Sequence, residues 1–169
     1  MVNAALLKSL LTHVKYTGKI TYVGVGTDRN ILDSLGPLVG TMLQEKGYKV
    51  YGTIENPMHA LTLPHHVEEI NENKCVVAID ACVAISESLY TLQFRQKPVK
   101  PGAGSGKILP QVGHYSILGM VDKRDVLDNL GRLHHTMTMA KDIVDTIERF
   151  EQIRTRRAIR NKKLMRSFI

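Results

Sequence analysis

The eighteen residues from Ile20 to Pro37, ITYVGVGTDRNILDSLGP, constrain the fold of this chain more than any other stretch. The apolar run from Ile20 to Val25 predicts a buried strand. Gly24 and Gly26 break it, a polar loop follows, and Asp33-Ser34 with Pro37 marks the start of a helix. Strand, glycine turn and helix form the first unit of an α/β sheet. In such sheets ligands bind in the crevice beyond the carboxyl ends of the strands.

The pattern that follows repeats the unit. Leu35 to Lys46 predicts a helix with Leu38, Val39, Met42 and Leu43 on one face and Gly47 as its terminating glycine. Tyr48 to Ile54 predicts a second strand, and Met58 to Asn73 a weaker helix interrupted by Pro64. Cys75 to Asp80 predicts a third, central strand that ends at its acid. After a linker from Ala81 to Ser88, apolar and polar residues alternate from Leu89 to Arg95, as in a strand with one exposed face. Lys97 to Gly113 is rich in proline and glycine and predicts an irregular insertion. Tyr115 to Val121 predicts another strand.

A long helix capped by Asp122 or Asp125 is then expected, because Val126, Leu130, Leu133, Met137, Ala140, Val144 and Ile147 recur at spacings of four and three. At the other end of the chain, Ala4, Leu7, Leu11 and Val14 suit a short amphipathic helix. Strands alternating with helices predict a three-layer α/β/α fold with a mostly parallel sheet. Residues 1–150 are expected to form one such domain and residues 151–169 a basic helical extension.

Composition narrows the function classes. Apolar residues at 43% and charged residues at 23% describe an ordinary globular chain. No apolar run approaches the ~18 residues of a membrane span, and the N-terminus lacks a signal-peptide core. A cytoplasmic protein with reduced Cys75 and Cys82 is expected. The net charge of +7 points towards nucleic acid, but eight Lys or Arg against one Glu fall between Arg149 and Arg166, so the excess belongs to the C-terminal extension, which is expected to be a solvated helix end or else the nucleic-acid-binding arm of a non-catalytic regulatory protein.

The acids carry the chemistry. Asp80 follows apolar and small residues, and burying an unpaired carboxylate costs several kcal/mol, on the order of the charge-burial penalty, so it must be paired, protonated or facing a crevice. Asp33 also suits a helix N-cap. Consecutive parallel strands open their carboxyl ends on one edge, which brings Asp33 and Asp80 to the same crevice. Two such acids share a proton and act as general acid and base. Alternatively they chelate a divalent cation such as nickel or zinc, with His59 as nitrogen ligand. Asp28, Arg29, Gly102, Gly104 and His114 are candidate walls of the cleft. His65, His66, His134 and His135 are expected on helix surfaces.

Other sites fail on spacing. A dinucleotide fingerprint needs a third glycine where Arg29 stands. A phosphate loop at Gly106-Lys107 needs glycine at Pro101 and Ser or Thr at Ile108. No serine sits in a Gly-x-Ser-x-Gly elbow.

The order of motifs resembles the YyaC family of sporulation proteins over about Ile20 to Ile147. The residues that carry it are Gly24-x-Gly26-Thr27-Asp28-Arg29, Asp33-Ser34-Leu35-Gly36-Pro37, Val50-Tyr51-Gly52-Thr53, Pro57-Met58-His59, Ala78-Ile79-Asp80-Ala81-Cys82, Lys100-Pro101-Gly102-Ala103-Gly104 and Leu109-Pro110-x-Val112-Gly113. That family is described as a spore protease, similar to the germination protease and to hydrogenase maturation endopeptidases. The resemblance implies their fold, and it matches Asp33 and Asp80 to the germination protease's catalytic pair. It equally matches both acids, with a histidine, to the metal-contacting positions of the hydrogenase peptidases. It implies a protein substrate such as small acid-soluble spore proteins, met in the forespore or spore; a homo-oligomer is also expected. Leu32 for proline, His114-Tyr115 for Asp and an aliphatic residue, the charged segment 122–128, and the extension beyond Phe150 depart from the family pattern.

Overall fold

The computed structural model describes residues 1–84, 86–102, 109–121 and 129–166. In chain order the elements are α1 (Ala4–His13), β1 (Thr21–Gly24), α2 (Leu35–Glu45), β2 (Lys49–Tyr51), α3 (Leu63–Asn71), β3 (Val76–Val83), β4 (Leu92–Arg95), β5 (Tyr115–Val121) and α4 (Asn129–Arg166). The sheet runs β2-β1-β3-β5-β4, parallel throughout except for β4, which pairs antiparallel to β5 at the edge. The parallel α/β reading therefore holds.

Alternation along the strands divides the core in two. Tyr22, Val77, Ile79, Ile117 and Val121 face the helices α1, α2 and α4. Val23, Val76, Ala78, Leu118 and Met120 face α3 and the returning segment around Val99 and Val112. Helices on both sides of the sheet make three layers, because strands buried on both faces need cover on both.

Several boundaries differ from the sequence reading. The second strand stops at Tyr51, because Gly52 takes φ +78° and turns the chain away. Pro64 does not interrupt a helix but sits in the first turn of α3, where its missing N–H costs nothing. On α1, Leu6 and Leu10 are buried while Ala4 is exposed, so the inward face lies rotated from the expected one. Leu133 is 44% exposed. At that turn the inward stripe of α4 runs through the buried Thr136 and through His135, whose ring stacks on Tyr90 at 3.9 Å. Further along, Met139, Ala140, Ile143, Val144, Ile147 and Phe150 form the buried stripe. The expected caps Asp122 and Asp125, and Val126, lie outside the described residues.

α2 lies unusually close to the sheet. A Cβ added to Gly40 would stand 1.9 Å from the carbonyl oxygen of Gly52, and one added to Gly36 2.1 Å from that of Val25. Backbone atoms of a hydrogen-bonded sheet cannot retreat, so only glycine permits this contact. Gly47 is different: φ is +80°, but the space beside it is open. Gly40→Ala is expected to lower stability by about 2–3 kcal/mol through overpacking, and Gly47→Ala by only about 1 kcal/mol through backbone strain. Urea denaturation of the two variants checks the order.

Candidate active site

β1 ends at Gly24, and Val25 continues beside β3, its N–H donating to the carbonyl of Ile79 at 2.8 Å. Gly26 then turns with φ +130°, and a Cβ there would meet the carbonyl oxygen of Asp33 at 2.0 Å and its Oδ1 at 3.3 Å. Glycine is required because Asp33 folds back onto this turn. A short 3-10 turn, Ile31–Asp33, aims it: Asn30 Oδ1 accepts from the N–H of Leu32, and Thr27 N–H donates to the carbonyl of Asp33 at 3.1 Å. Ser34, not Asp33, occupies the position before α2 and makes no side-chain capping bond. Asp33 is thus not the helix cap, and its carboxylate is not committed to one.

Asp80 does not end its strand. It is the fifth of the eight residues of β3, which continues beside β5 to Val83. Because Gly24 registers with Ile79, Asp80 lies beside Val25, where β1 gives way to the glycine turn. Half-buried as a residue, it has a carboxyl sunk among protein atoms. That burial raises its pKa to about 7; the N–H of Ala81, donating to Oδ1 at 2.8 Å, works against the rise, and the charge of Asp33 adds to it. Asp33 is itself raised, first by burial, with the Thr27 N–H and the charge of His59 opposing. Asp33 therefore stands near enough for its charge to be felt at Asp80, beside the point where β1 ends, and His59 acts on Asp33.

His59 follows Met58, whose residue bridges to Val25 in parallel register. Its Nδ1 accepts the N–H of Leu61 at 3.2 Å, so in the neutral ring the proton belongs on Nε2. Among the described residues no three His, Cys, Asp or Glu side chains stand close enough to share a metal ion. Asp28 and Arg29 are exposed on the loop between Gly26 and the 3-10 turn.

One proposed cleft residue lies elsewhere. His114 precedes β5 at the amino end of the sheet; its Nδ1 accepts the N–H of Val76 at 3.1 Å and its own N–H donates to Val76. That is four residues before Asp80, or roughly 13 Å along a strand. His114 finishes the first rung of β3 and is not a wall of the crevice. Gly102 belongs to a segment whose ends also lie at the amino edge: Arg95 registers with Ser116, and Gly113 donates to Asn71. Gly104 lies outside the described residues.

The sequence reading missed Tyr90. It takes φ +58°, rare for a bulky residue, and its N–H donates to Met120 near the end of β5 while its ring meets His135. The strand-like alternation from Leu89 to Arg95 gave no sign of a bend there. Cys75 is buried, which pushes its thiol up to about 11, and Cys82 is half-buried two residues beyond Asp80.

Residues 1–146 match the family described as "Protein of unknown function (DUF1256)". The chain is 39% identical over 143 residues to the Bacillus subtilis (strain 168) protein described as "Uncharacterized protein YyaC", spanning 78% of this chain and 69% of that one. Among solved structures it is similar to the [NiFe] hydrogenase maturation protease HycI from Thermococcus kodakarensis KOD1, with TM-score 0.52 and 15% identity over 86% of this chain and 99% of that chain. The HybD protease of Thermococcus kodakarensis gives TM-score 0.47 and 13% identity, over 77% of this chain and 99% of that one. At such identity the likeness to HycI concerns the fold.

The raised pKa of Asp80 has a stability consequence of definite sign. Between about pH 4 and pH 7 the folded chain keeps a proton that the unfolded chain, with an ordinary Asp pKa of about 3.9, has released. Stability therefore falls as pH rises through that window. Asp80→Asn cannot ionise and escapes the loss, so it should gain on the parent by up to ~4 kcal/mol above pH 7, at about 1.4 kcal/mol per unit, and by nothing near pH 4. Urea midpoints at pH 4.5, 6 and 8 measure the difference; a gap that does not change with pH would contradict it.

Proposed function

We propose that this chain, which belongs to the DUF1256 family, is a peptidase in which Asp33 and Asp80 activate water between them. One observation carries the reading: Asp80 holds its proton to about pH 7 beside the charge of Asp33, at the edge of the sheet where this fold class binds ligands. Near neutral pH the pair keeps one proton between two carboxyls, an unequal division suited to general acid and base work.

The roles follow from the surroundings. Asp33, which His59 and the Thr27 N–H favour as carboxylate, takes a proton from water as the water oxygen attacks the peptide carbonyl carbon. Asp80, the more deeply buried acid, first donates to the developing oxyanion. When the tetrahedral gem-diol collapses, Asp80 takes back a hydroxyl proton as the carbonyl re-forms, the C–N bond breaks, and the amine leaves with the proton that Asp33 had taken. Each transfer is typically worth ~10² to 10⁴ in rate. Asp28 and Arg29, exposed on the loop before the 3-10 turn, make contacts with the substrate chain. The fold of a maturation protease and the similarity of both acid motifs to the germination protease support a protein substrate. Small acid-soluble spore proteins, in the cytoplasm of a forespore or spore, are the first to try.

The test is to incubate the purified chain with such proteins and map new termini by mass spectrometry. Asp33→Asn and Asp80→Asn should each lower kcat at least 10²-fold, while Lys8→Gln leaves it unchanged. The rate should rise as Asp33 ionises and fall as Asp80 loses its proton above about pH 7. Cleavage that survives Asp80→Asn ends the proposal. Cleavage abolished by a chelator and restored by nickel or zinc replaces the metal-free mechanism with a metal-dependent one.

A further inference from the structure

α4 does not stop where the sheet stops. Its 38 residues continue without a break from the buried stripe into the basic segment, to Arg166. The first turn of that segment is tied to the body: Arg154 donates to the carbonyls of Tyr16 and Gly18 and to Glu151, which accepts from the hydroxyl of the buried Tyr22 at 2.7 Å. These bonds fix the rotation of the helix. At 100° per residue, the direction opposite Phe150, Arg154 and Ala158 is that of Arg149, Arg156, Arg160 and Lys163. All four are exposed, and among the described residues none of the four takes part in an ion pair or side-chain hydrogen bond. They form one ridge, roughly 21 Å long at 1.5 Å per residue.

The charge of the chain resides here. Residues 149–166 hold eight of the 23 Lys and Arg and one of the 16 Asp and Glu, which leaves fifteen of each sign elsewhere. The body is neutral, and the net +7 is that of the segment. From Gln152 to Arg166 there is no acid that could neutralise a neighbour one turn away.

We propose that the outward face of α4, with Arg149, Arg156, Arg160 and Lys163, is a docking ridge for the phosphate backbone of duplex nucleic acid. A straight row of cations on a rigid helix complements a straight row of phosphates, and no aromatic side chain stands in the row to read bases. A membrane surface is less well matched. Such a helix needs an apolar stripe to enter the lipid boundary, whereas exposed Ile159 and Leu164 lie roughly 140° apart around the helix. The proposal does not depend on the acid pair and stands or falls separately from it.

The full chain is titrated into a fluorescein-labelled 20-base-pair DNA duplex of mixed sequence, by anisotropy, between 50 and 200 mM salt. Four phosphate contacts predict a slope of log K against log salt of about −3.6, and a loss of about 10²-fold across that range. A second, unrelated duplex should bind equally. R149Q/R156Q/R160Q/K163Q should weaken binding at least tenfold at 50 mM salt with an unchanged far-ultraviolet circular dichroism spectrum. K8Q/K74Q/K97Q/K100Q removes the same charge from the body and should bind as the parent does. Equal losses in the two quadruple variants would overturn the ridge. No binding at 50 mM salt, or tighter binding to phosphatidylglycerol vesicles or polyglutamate than to the duplex, would overturn the nucleic-acid assignment.

Discussion

The desolvation of a single carboxyl group shapes this molecule. Asp80 is carried inside β3, paired with Leu118 of β5 just beyond the end of β1, and not on a loop free to swing into water. A carboxylate in such a position would cost several kcal/mol unless neutralised, on the order of the penalty for any poorly solvated charge. The fold answers in two ways: it supplies one local donor, the N–H of Ala81, and it lets the group keep its proton. The glycine turn at Gly26, the 3-10 turn that aims Asp33, and the close seat of α2 together bring a second acid to that first one. The chemistry proposed for the pair begins with this imbalance between two otherwise identical side chains.

Much of this arrangement was legible in the residues, for physical reasons that differ from element to element. β5 matched its predicted span because its seven residues, with Ile117, Leu118, Met120 and Val121 among them, show no helical period and are bounded by Gly113 and by a polar segment. The glycine turn after β1 was equally plain, since only glycine fits where backbones nearly touch. The end of β3 was misread: an acid after apolar residues looks like a boundary, and its continued pairing to Val83 depends on β5, some forty residues away in the chain. Asp33 was misread as a possible cap because Asp-Ser before a helix usually is one. Here the preceding 3-10 turn shifts the cap to Ser34, and nothing local announces that turn.

The candidate cleft was least legible where it depended on loops. His114 was grouped with the acids, yet it pairs with Val76 at the amino edge of the sheet. Tyr90 shows the reverse. Its strained backbone and its contact with His135 join β4 to α4, and no periodicity signals either. Long-range packing decides such positions, and a single sequence carries no record of it.

The strand order has a consequence for how a polypeptide can approach the acids. Many peptide-binding proteins hold their ligand as one more strand along an open sheet margin. Here both margins belong to other strands, the three-residue β2 on one side and the antiparallel β4 on the other, and Asp80 stands in the middle. On one side β5 pairs with it, and on the other the β1 ladder has ended, so that the N–H of Ala81 turns back to the carboxyl of Asp80 itself. Under the peptidase reading proposed above, a chain to be cut would arrive across the rim, where β1 has ended, and be gripped through its side chains and its scissile carbonyl. Recognition of that kind favours an extended, unfolded stretch of target over a sheet edge of a folded one.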